Sequence, residues 1–378
     1  MILGLPFMSI AAMFIAKGSG DTVMNKRYIV FILVFSLLAL TASVTFAQEQ
    51  PCTENCQQVA NVTLQGLSAD EIAAYQEPQF EQLFVDDEML NDRLYQRVSG
   101  GVNVYDAPNG NVIRTLDAGF NFITVASTQD GWTQVVPGEW IQSSALSDVN
   151  DSISRFTGVF FPDEPLQYPV AWTLVNLYPS LEPGGEPRES NGLVYRHTRL
   201  TIYATVSVDG WNWYQIGPDK WVYQTHVSKI TPIDRPESVD TGRWVAIDLY
   251  EQNLVVYDGD QPVFATLVST GLPRWPTYEG TFHIYFRRVR EDMSWGTPGD
   301  DFYYLEEVPW TMFFDEGRAL HGEYWHDGLG YRRSHGCVNM SITDAHWLYN
   351  WVAEEFNSLN SPDVEEGPAV YVYSTGQY

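Results

Sequence analysis

Cys337 sits in the run Ser334-His335-Gly336-Cys337-Val338-Asn339-Met340, and a second histidine, His321, precedes it by sixteen residues. The chain holds three cysteines, and the other two, Cys52 and Cys56, lie together near its start. A free thiol is mostly protonated near neutral pH, so a nucleophilic cysteine needs a partner that takes or stabilises its proton. His321 and His335 are the candidate imidazoles. His335 is two residues from Cys337, which on extended backbone puts both side chains on one face. His321 lies in a strand-like segment, Arg318-Ala319-Leu320-His321-Gly322, and reaches the sulfur from elsewhere in the fold, as a positioned general base does. Gly336 lets the backbone turn sharply beside the nucleophile, and N–H groups at Gly336 and Cys337 are expected to face a developing oxyanion. Ser334 is placed to hydrogen-bond a histidine or a substrate. His321, His326, His335 and Cys337 are also zinc-ligand types, but no HxH or HExxH spacing is present and zinc would quench the thiolate. No metal and no cofactor are therefore expected.

The elements that must hold these residues read as strands and turns. Trp244–Leu249 alternates towards a strand, Asn253–Tyr257 follows, and after the turn Asp258–Pro262 comes Val263–Gly271. Strand, short turn, strand implies a mostly antiparallel meander. Thr281–Phe286 and Ala369–Tyr373 add further strands. Ile342–Phe356 carries Ile342, Ala345, Leu348, Tyr349 and Val352 at helical spacing, with Thr343-Asp344 near its start. Pro232–Pro236 forms a turn-rich linker before this block.

Upstream, the chain repeats itself. Val102-Asn103-Val104-Tyr105, Asp130-Gly131-Trp132 and Gly138-Glu139-Trp140-Ile141 are echoed by Val175-Asn176-Leu177-Tyr178, Asp209-Gly210-Trp211 and Lys220-Trp221-Val222. Asp-Gly before Trp marks a tight turn feeding a strand. Both segments resemble bacterial SH3-like domains, over about residues 96–147 and 165–230, and the resemblance implies two small β-barrels with wall-binding or substrate-guiding roles. Residues 48–95 are polar and acidic, read as a linker with one helix-like run, Asp70–Leu94. At the start, Lys26-Arg27, the apolar Tyr28–Leu40 and the small residues ending Thr45-Phe46-Ala47 follow the order of a secretory signal, with Met24 a candidate true start. The expectation is an exported, extracytoplasmic protein, or one anchored in the membrane if the signal stays uncleaved. Outside the cytoplasm Cys52 and Cys56 are able to form a local disulfide. A formal net charge of −27 repels phosphate backbones and argues against a nucleic-acid partner.

Residues 244–373 resemble the catalytic domain of L,D-transpeptidases, the cell-wall enzymes of the YkuD type. That family's motif is a histidine, a variable stretch, then Ser or Thr, His, Gly, Cys, an apolar residue and Asn or Arg. His321, Ser334, His335, Gly336, Cys337, Val338 and Asn339 fill it. Ile247-Asp248-Leu249, Gln252–Tyr257 and Val268-Ser269-Thr270-Gly271 match its entry strands. The chain departs where the family has Thr-Pro-x-Gly-x-Phe, reading Pro276-Thr277-Tyr278-Glu279-Gly280-Thr281-Phe282 instead. The resemblance implies a mainly β architecture: two SH3-like barrels (96–150 and 155–232), then a YkuD-type β-sandwich (243–374) with one or two helices, after a signal (1–47) and a linker (48–95).

It further implies Cys337 as nucleophile, His321 as proton acceptor and donor, and the Gly322 carbonyl as the group that orients His321. His335 would serve the oxyanion site or the substrate, and Asn339 would support the loop. The implied partners are peptidoglycan stem peptides, handled by a monomer. Cys337 would attack the L-centre carbonyl of a diamino acid, release D-alanine and pass the acyl group to a neighbouring amine, giving a 3→3 crosslink. Resolution by water would make the enzyme an L,D-carboxypeptidase, and a vestigial block would leave a wall-binding protein.

Two features point at substrate contacts. Arg287, Arg288, Arg290, Arg318, Arg332 and Arg333 gather in this block of an acidic chain, and Arg332 and Arg333, directly before the motif, suit carboxylates through paired donors. Their alternative is pairing with Asp315 or Glu316. Residues 272–315 are rich in aromatics, Trp275, Tyr278, Trp295, Tyr303, Tyr304 and Trp310; the resemblance implies that a segment here forms a lid over the active site, with Tyr278 and Trp295 touching substrate, and the alternative is ordinary sheet packing. His197, His226, His283 and His346 are expected to be structural or surface residues.

Overall fold

A computed structural model describes residues 66–136, 138–149, 153–356 and 367–377. The secretory-signal segment and the Cys52/Cys56 pair lie outside the described residues. Among those described the chain is mainly β, with three α-helices.

Two sheets carry the site. The first has seven strands, in the order Glu81–Gln82, Val159–Phe160, Gln261–Leu267, Asn253–Asp258, Arg243–Asp248, Ala369–Tyr373 and Gly280–His283. The second runs Val338–Met340, Arg318–Gly322, Tyr303–Asp315, Phe120–Val125, Leu94–Val98 and Leu146–Val149, with Phe286–Trp295 also paired to Tyr303–Asp315. Val245, Ile247, Leu254 and Val370 of the first sheet meet Met312, Leu320 and Val338 of the second and Leu348 of the long helix in one core. Packing two sheets and a helix this way buries the apolar face of each.

The meander expected over 244–271 is present as antiparallel hairpins over 243–267. Its first strand differs from a half-buried one, because Trp244–Asp248 is buried at every position. The outward face of that strand packs Trp244 and Ala246 against Val170, Trp172 and Ile230 of the upstream chain. A strand covered on both faces reads as a continuous apolar run. The long helix spans Ile342–Glu355, and its N-cap is Ser341, whose hydroxyl accepts the Asp344 N–H.

The run 70–94 is not a single helix. It holds two short helices, Ala69–Ala74 and Asp87–Leu90, with the strand Glu81–Gln82 between them. Pro78 explains the break, since it lacks an N–H and pushes Glu77 towards extended backbone. Nor do the described residues before 95 behave as a linker. Glu81–Gln82 extends the first sheet through Val159–Phe160, and Leu94 begins a strand of the second.

The internal repeat has a structural counterpart. Asp130-Gly131 and Asp209-Gly210 all have positive φ, the backbone of a type I′ hairpin turn, and each pair feeds a strand that begins with tryptophan. The strands Glu139–Gln142 and Lys220–Tyr223 follow, and each leads into a single 3-10 turn and a final strand. The copies diverge at their starts. Val102–Tyr105 is a strand, whereas Val175–Tyr178 contributes only an isolated bridge, Leu177 to Val194.

Candidate active site

Cys337 stands one residue before the strand Val338–Met340, which pairs in parallel with Arg318–Gly322 so that His321 faces Asn339. Side chains alternate along a strand, so Cys337 and Asn339 share a face with His321. Both Cys337 and His321 line one cavity of about 740 Å³.

The loop that presents the thiol is clamped onto the end of the first sheet. Ser269 and Asn339 exchange backbone hydrogen bonds of 2.9 and 3.0 Å, and the N–H groups of Arg333 and Ser334 both donate to the Thr270 carbonyl. The Ser269 hydroxyl donates to the Tyr331 carbonyl at 2.5 Å. Inside the loop the Ser334 hydroxyl donates to the Cys337 carbonyl at 2.5 Å and accepts the Gly336 N–H at 3.1 Å. Gly336 has φ +115, a backbone that L side chains rarely adopt, so glycine is favoured on conformational grounds; a Cβ there would also stand 2.7 Å from Arg318 Nε and displace that side chain. Two expectations are thereby corrected. The Gly336 N–H is occupied by Ser334, so it does not face an oxyanion. Ser334 spends its hydroxyl on its own loop rather than on a histidine.

His321 is 1% exposed, and its Nδ1 lies 3.0 Å from the Gly322 carbonyl. A carbonyl only accepts, so Nδ1 carries the proton and Nε2 keeps its lone pair. Burial pulls this imidazole down to about 4, opposed only by that backbone bond. Cys337 is half-buried, and burial pushes its thiol up, against the lowering effects of a backbone hydrogen bond from Ala319 and of the Arg318 charge. At rest, near neutral pH, the pair is therefore thiol and neutral imidazole rather than thiolate and imidazolium.

His335 occupies a different setting. Its ring stacks on Trp275 with centroids 3.9 Å apart, and Tyr303 and Trp295 lie at 5.1 and 5.7 Å. Its Nε2 is buried without a hydrogen-bond partner. Burial lowers its basicity, with Asp301 opposing and Arg274 reinforcing the shift. Asn339 Nδ2 is placed 3.1 Å from His326 Nε2. His326 Nδ1 accepts the Gly328 N–H at 3.0 Å, so a neutral His326 carries its proton on Nε2, and the Asn339 amide must turn its oxygen there.

The arginine cluster disperses. Arg287 is buried against the Tyr349 ring, Arg288 lies 3.8 Å from Glu291, Arg290 pairs with Asp92, and Arg318 pairs with Asp315 at 3.0 Å. Carboxylate pairing thus accounts for three of the six, and packing on an aromatic ring for a fourth. Arg332 and Arg333 do line the cavity. Arg332 donates to the carbonyls of Leu249 (2.8 Å) and Gly271 (3.4 Å), whereas Arg333 is exposed. The aromatic segment divides likewise. Trp275, Trp295 and Tyr303 surround His335, Trp310 packs on His346 and Tyr349, and Tyr304 reaches Arg114 and Glu306. Tyr278 does not line the cavity; it lies under the Arg318 guanidinium at 4.2 Å.

Three contributors escaped sequence reasoning. Thr277 is buried and bridges the Gly271 N–H to the Gly336 carbonyl, which ties the departing turn to the cysteine loop. Trp325 tilts against His321 at 5.6 Å. Phe120 enters the cavity from the upstream chain. Thr277 had a signal in its place beside the family turn, and the other two had none. Among the described residues, no group of three or more His, Cys, Asp and Glu side chains is arranged to hold a metal ion.

Residues 242–372 match the family model of the L,D-transpeptidase catalytic domain, YkuD. A stretch of 126 residues is 25% identical to the Bacillus subtilis (strain 168) protein named "Putative L,D-transpeptidase YciB", covering 29% of this chain and 61% of that protein. The chain thus spans less than two thirds of that relative's length. Among solved structures it is similar to an L,D-transpeptidase from Stackebrandtia nassauensis, at 25% identity over 36% of this chain and 58% of that one, with a TM-score of 0.27. It is also similar to one from Mycobacterium smegmatis, at 18% identity over 47% and 72% of the two chains, with a TM-score of 0.30. The family match supports an L,D-transpeptidase catalytic domain, an acyltransferase type, in this part of the chain. The strands of 102–142 and 170–230 lie outside it.

Proposed function

We propose that the chain transfers an acyl group through a thioester on Cys337, exchanging peptide stems of the bacterial wall. The observation that carries this is the tautomer of His321: a buried, neutral imidazole whose Nδ1–H is held by Gly322, leaving Nε2 as an acceptor on the face it shares with the sulfur. As Sγ attacks the donor carbonyl, its proton passes to His321 Nε2, so the thiolate forms only during attack. The Cys337 N–H and the unpartnered His335 Nε2 are the groups left to meet the oxyanion, the latter when it bears a proton. Collapse breaks the C–N bond, the departing D-alanine amine takes the proton from His321, and a thioester remains. An acceptor amine then attacks, gives its proton to His321, and sulfur leaves with that proton restored. An amine acceptor yields a 3→3 crosslink.

Arg333, exposed at the cavity, is the better candidate for a stem carboxylate, because Arg332 already serves two backbone carbonyls. The same reading places a monomeric protein outside the cytoplasm, with the two repeated modules as SH3-like wall-facing parts. The test is incubation with purified disaccharide-tetrapeptide, with mass analysis of the products. Wild type is expected to release D-alanine and form dimers, Cys337→Ala to do neither, and a carbapenem to add its mass at Cys337. Dimer formation by Cys337→Ala would sink the reading.

A further inference from the structure

Part of the cavity wall comes from far outside residues 242–372. Phe120 lines the cavity that holds Cys337, yet it opens the strand Phe120–Val125 in the first repeated module. It is the register partner of Tyr303, and its N–H donates to the Phe302 carbonyl at 2.9 Å. The approach is close by construction. A Cβ on Gly119 would stand 2.2 Å from the Phe302 carbonyl oxygen, so only glycine lets the module come this near. The ring is backed by Phe122 at 5.1 Å and by the Arg97 guanidinium at 5.4 Å, and 37% of Phe120 stays open to solvent.

Tyr303, Met293 and Leu305 line the cavity as well, and Met293 and Leu305 are themselves register partners. This wall borders the cysteine loop, since the Tyr303 ring lies 5.1 Å from that of His335 and both line the cavity with Cys337. None of the four side chains carries a charge, whereas Arg332, Arg333 and Asn339 supply a separate polar lining. Met293 and Leu305 are buried, so the open area of this wall lies on Phe120 and Tyr303, and hiding it against an apolar ligand gains free energy.

We propose that Phe120, Met293, Tyr303 and Leu305 form an apolar subsite beside the sulfur, which takes an uncharged alkyl portion of the acyl donor, and that the upstream module sets its width through Phe120. This deepens the acyl-transfer reading and rests on it for the word donor, but the subsite can be tested without turnover. In the full chain, Cys337 is alkylated with iodoacetamide or with N-hexyl iodoacetamide and followed by peptide mass mapping. Wild type should favour the hexyl reagent by about fivefold or more, and Phe120→Ala should cut that preference about threefold or more, as loss of ring area predicts. Gly119→Ala should lower it too, by pushing the strand off Phe302. Phe120→Gln keeps the test open should the alanine variant not fold. Ile113→Ala, exposed on the same module, should leave the preference intact. An unchanged preference in folded Phe120 variants, or an equal loss in Ile113→Ala, overturns the subsite. A preference that falls as expected while wild type leaves tetrapeptide untouched upholds the subsite and rejects acyl transfer.

Discussion

His321 and His335 reach one cavity from two regions that treat an imidazole in opposite ways. The strand Arg318–Gly322 buries His321 completely and fixes its tautomer through a neighbouring carbonyl. The loop before Cys337 leaves His335 half-buried among three aromatic rings with a ring nitrogen unpartnered. A group that must take a proton and return it benefits from one fixed orientation, because reorganisation at the moment of reaction costs rate. A group that meets substrate benefits from a nitrogen not yet committed. The residue next to the nucleophile in sequence is thus less suited to be its base than the one brought in by strand pairing.

Three substitution experiments would break or sharpen this contrast. The largest effect should come from His321→Gln, which keeps polar volume but cannot cycle a proton. A loss of roughly 10²–10⁴ in kcat/KM is expected with tetrapeptide donor. A loss no greater than that of His335→Gln would reverse the assignment.

Acid stability comes next. His321 is held neutral with a value of about 4, so between that and the ordinary 6.5 the unfolded chain binds more protons than the folded one. Its contribution is complete above pH 6.5 and is lost as pH falls towards 4. Relative to its own stability at pH 7, His321→Gln should therefore gain on wild type by on the order of 2 kcal/mol at pH 4.5 in urea unfolding. Glu251 and Glu306, both raised to about 7 by burial, act the other way in wild type and variant alike, losing their contribution as pH rises through 7, so they cancel in the difference. A gap that does not change with pH would mean His321 is not buried as a neutral ring.

The smallest effect is expected from His335→Gln, roughly tenfold in kcat/KM, the scale of one neutral hydrogen bond. Trp275→Ala should act in the same direction by releasing the ring. Equal, non-additive losses in the double variant would show that the two serve a single function, whereas additive losses would separate them.

The catalytic candidates were legible because their chemistry is local. Ser334 to Asn339 is a contiguous run, and a lone Gly-flanked cysteine with histidines nearby carries its meaning in residue type. The helix over Ile342–Glu355 was legible from spacing, although its cap, Ser341, was not singled out. The two Asp-Gly-Trp turns were legible because a type I′ turn demands positive φ at adjacent residues and selects those residue types. Trp244–Asp248 misled for the opposite reason. Whether the second face of a strand is buried depends on what arrives there, and here Val170, Trp172 and Ile230 arrive from the upstream chain. The arginines misled in part: the pairing of Arg318 with Asp315 was the stated alternative, but proximity in sequence does not reveal that Arg290 turns to Asp92.

Residue type and short-range order alone settled that a thiol and two imidazoles would share one neighbourhood, that strands would dominate, and where the turns fall. Only the assembled molecule decided which imidazole is buried and in which tautomer, that Gly336 gives its N–H to Ser334, and that Phe120 of a distant module walls the cavity. The reason is that turn geometry and helical spacing are properties of a few consecutive residues. Burial, tautomer and cavity shape depend on surfaces contributed by segments hundreds of residues apart, and no local pattern encodes which of those surfaces will meet.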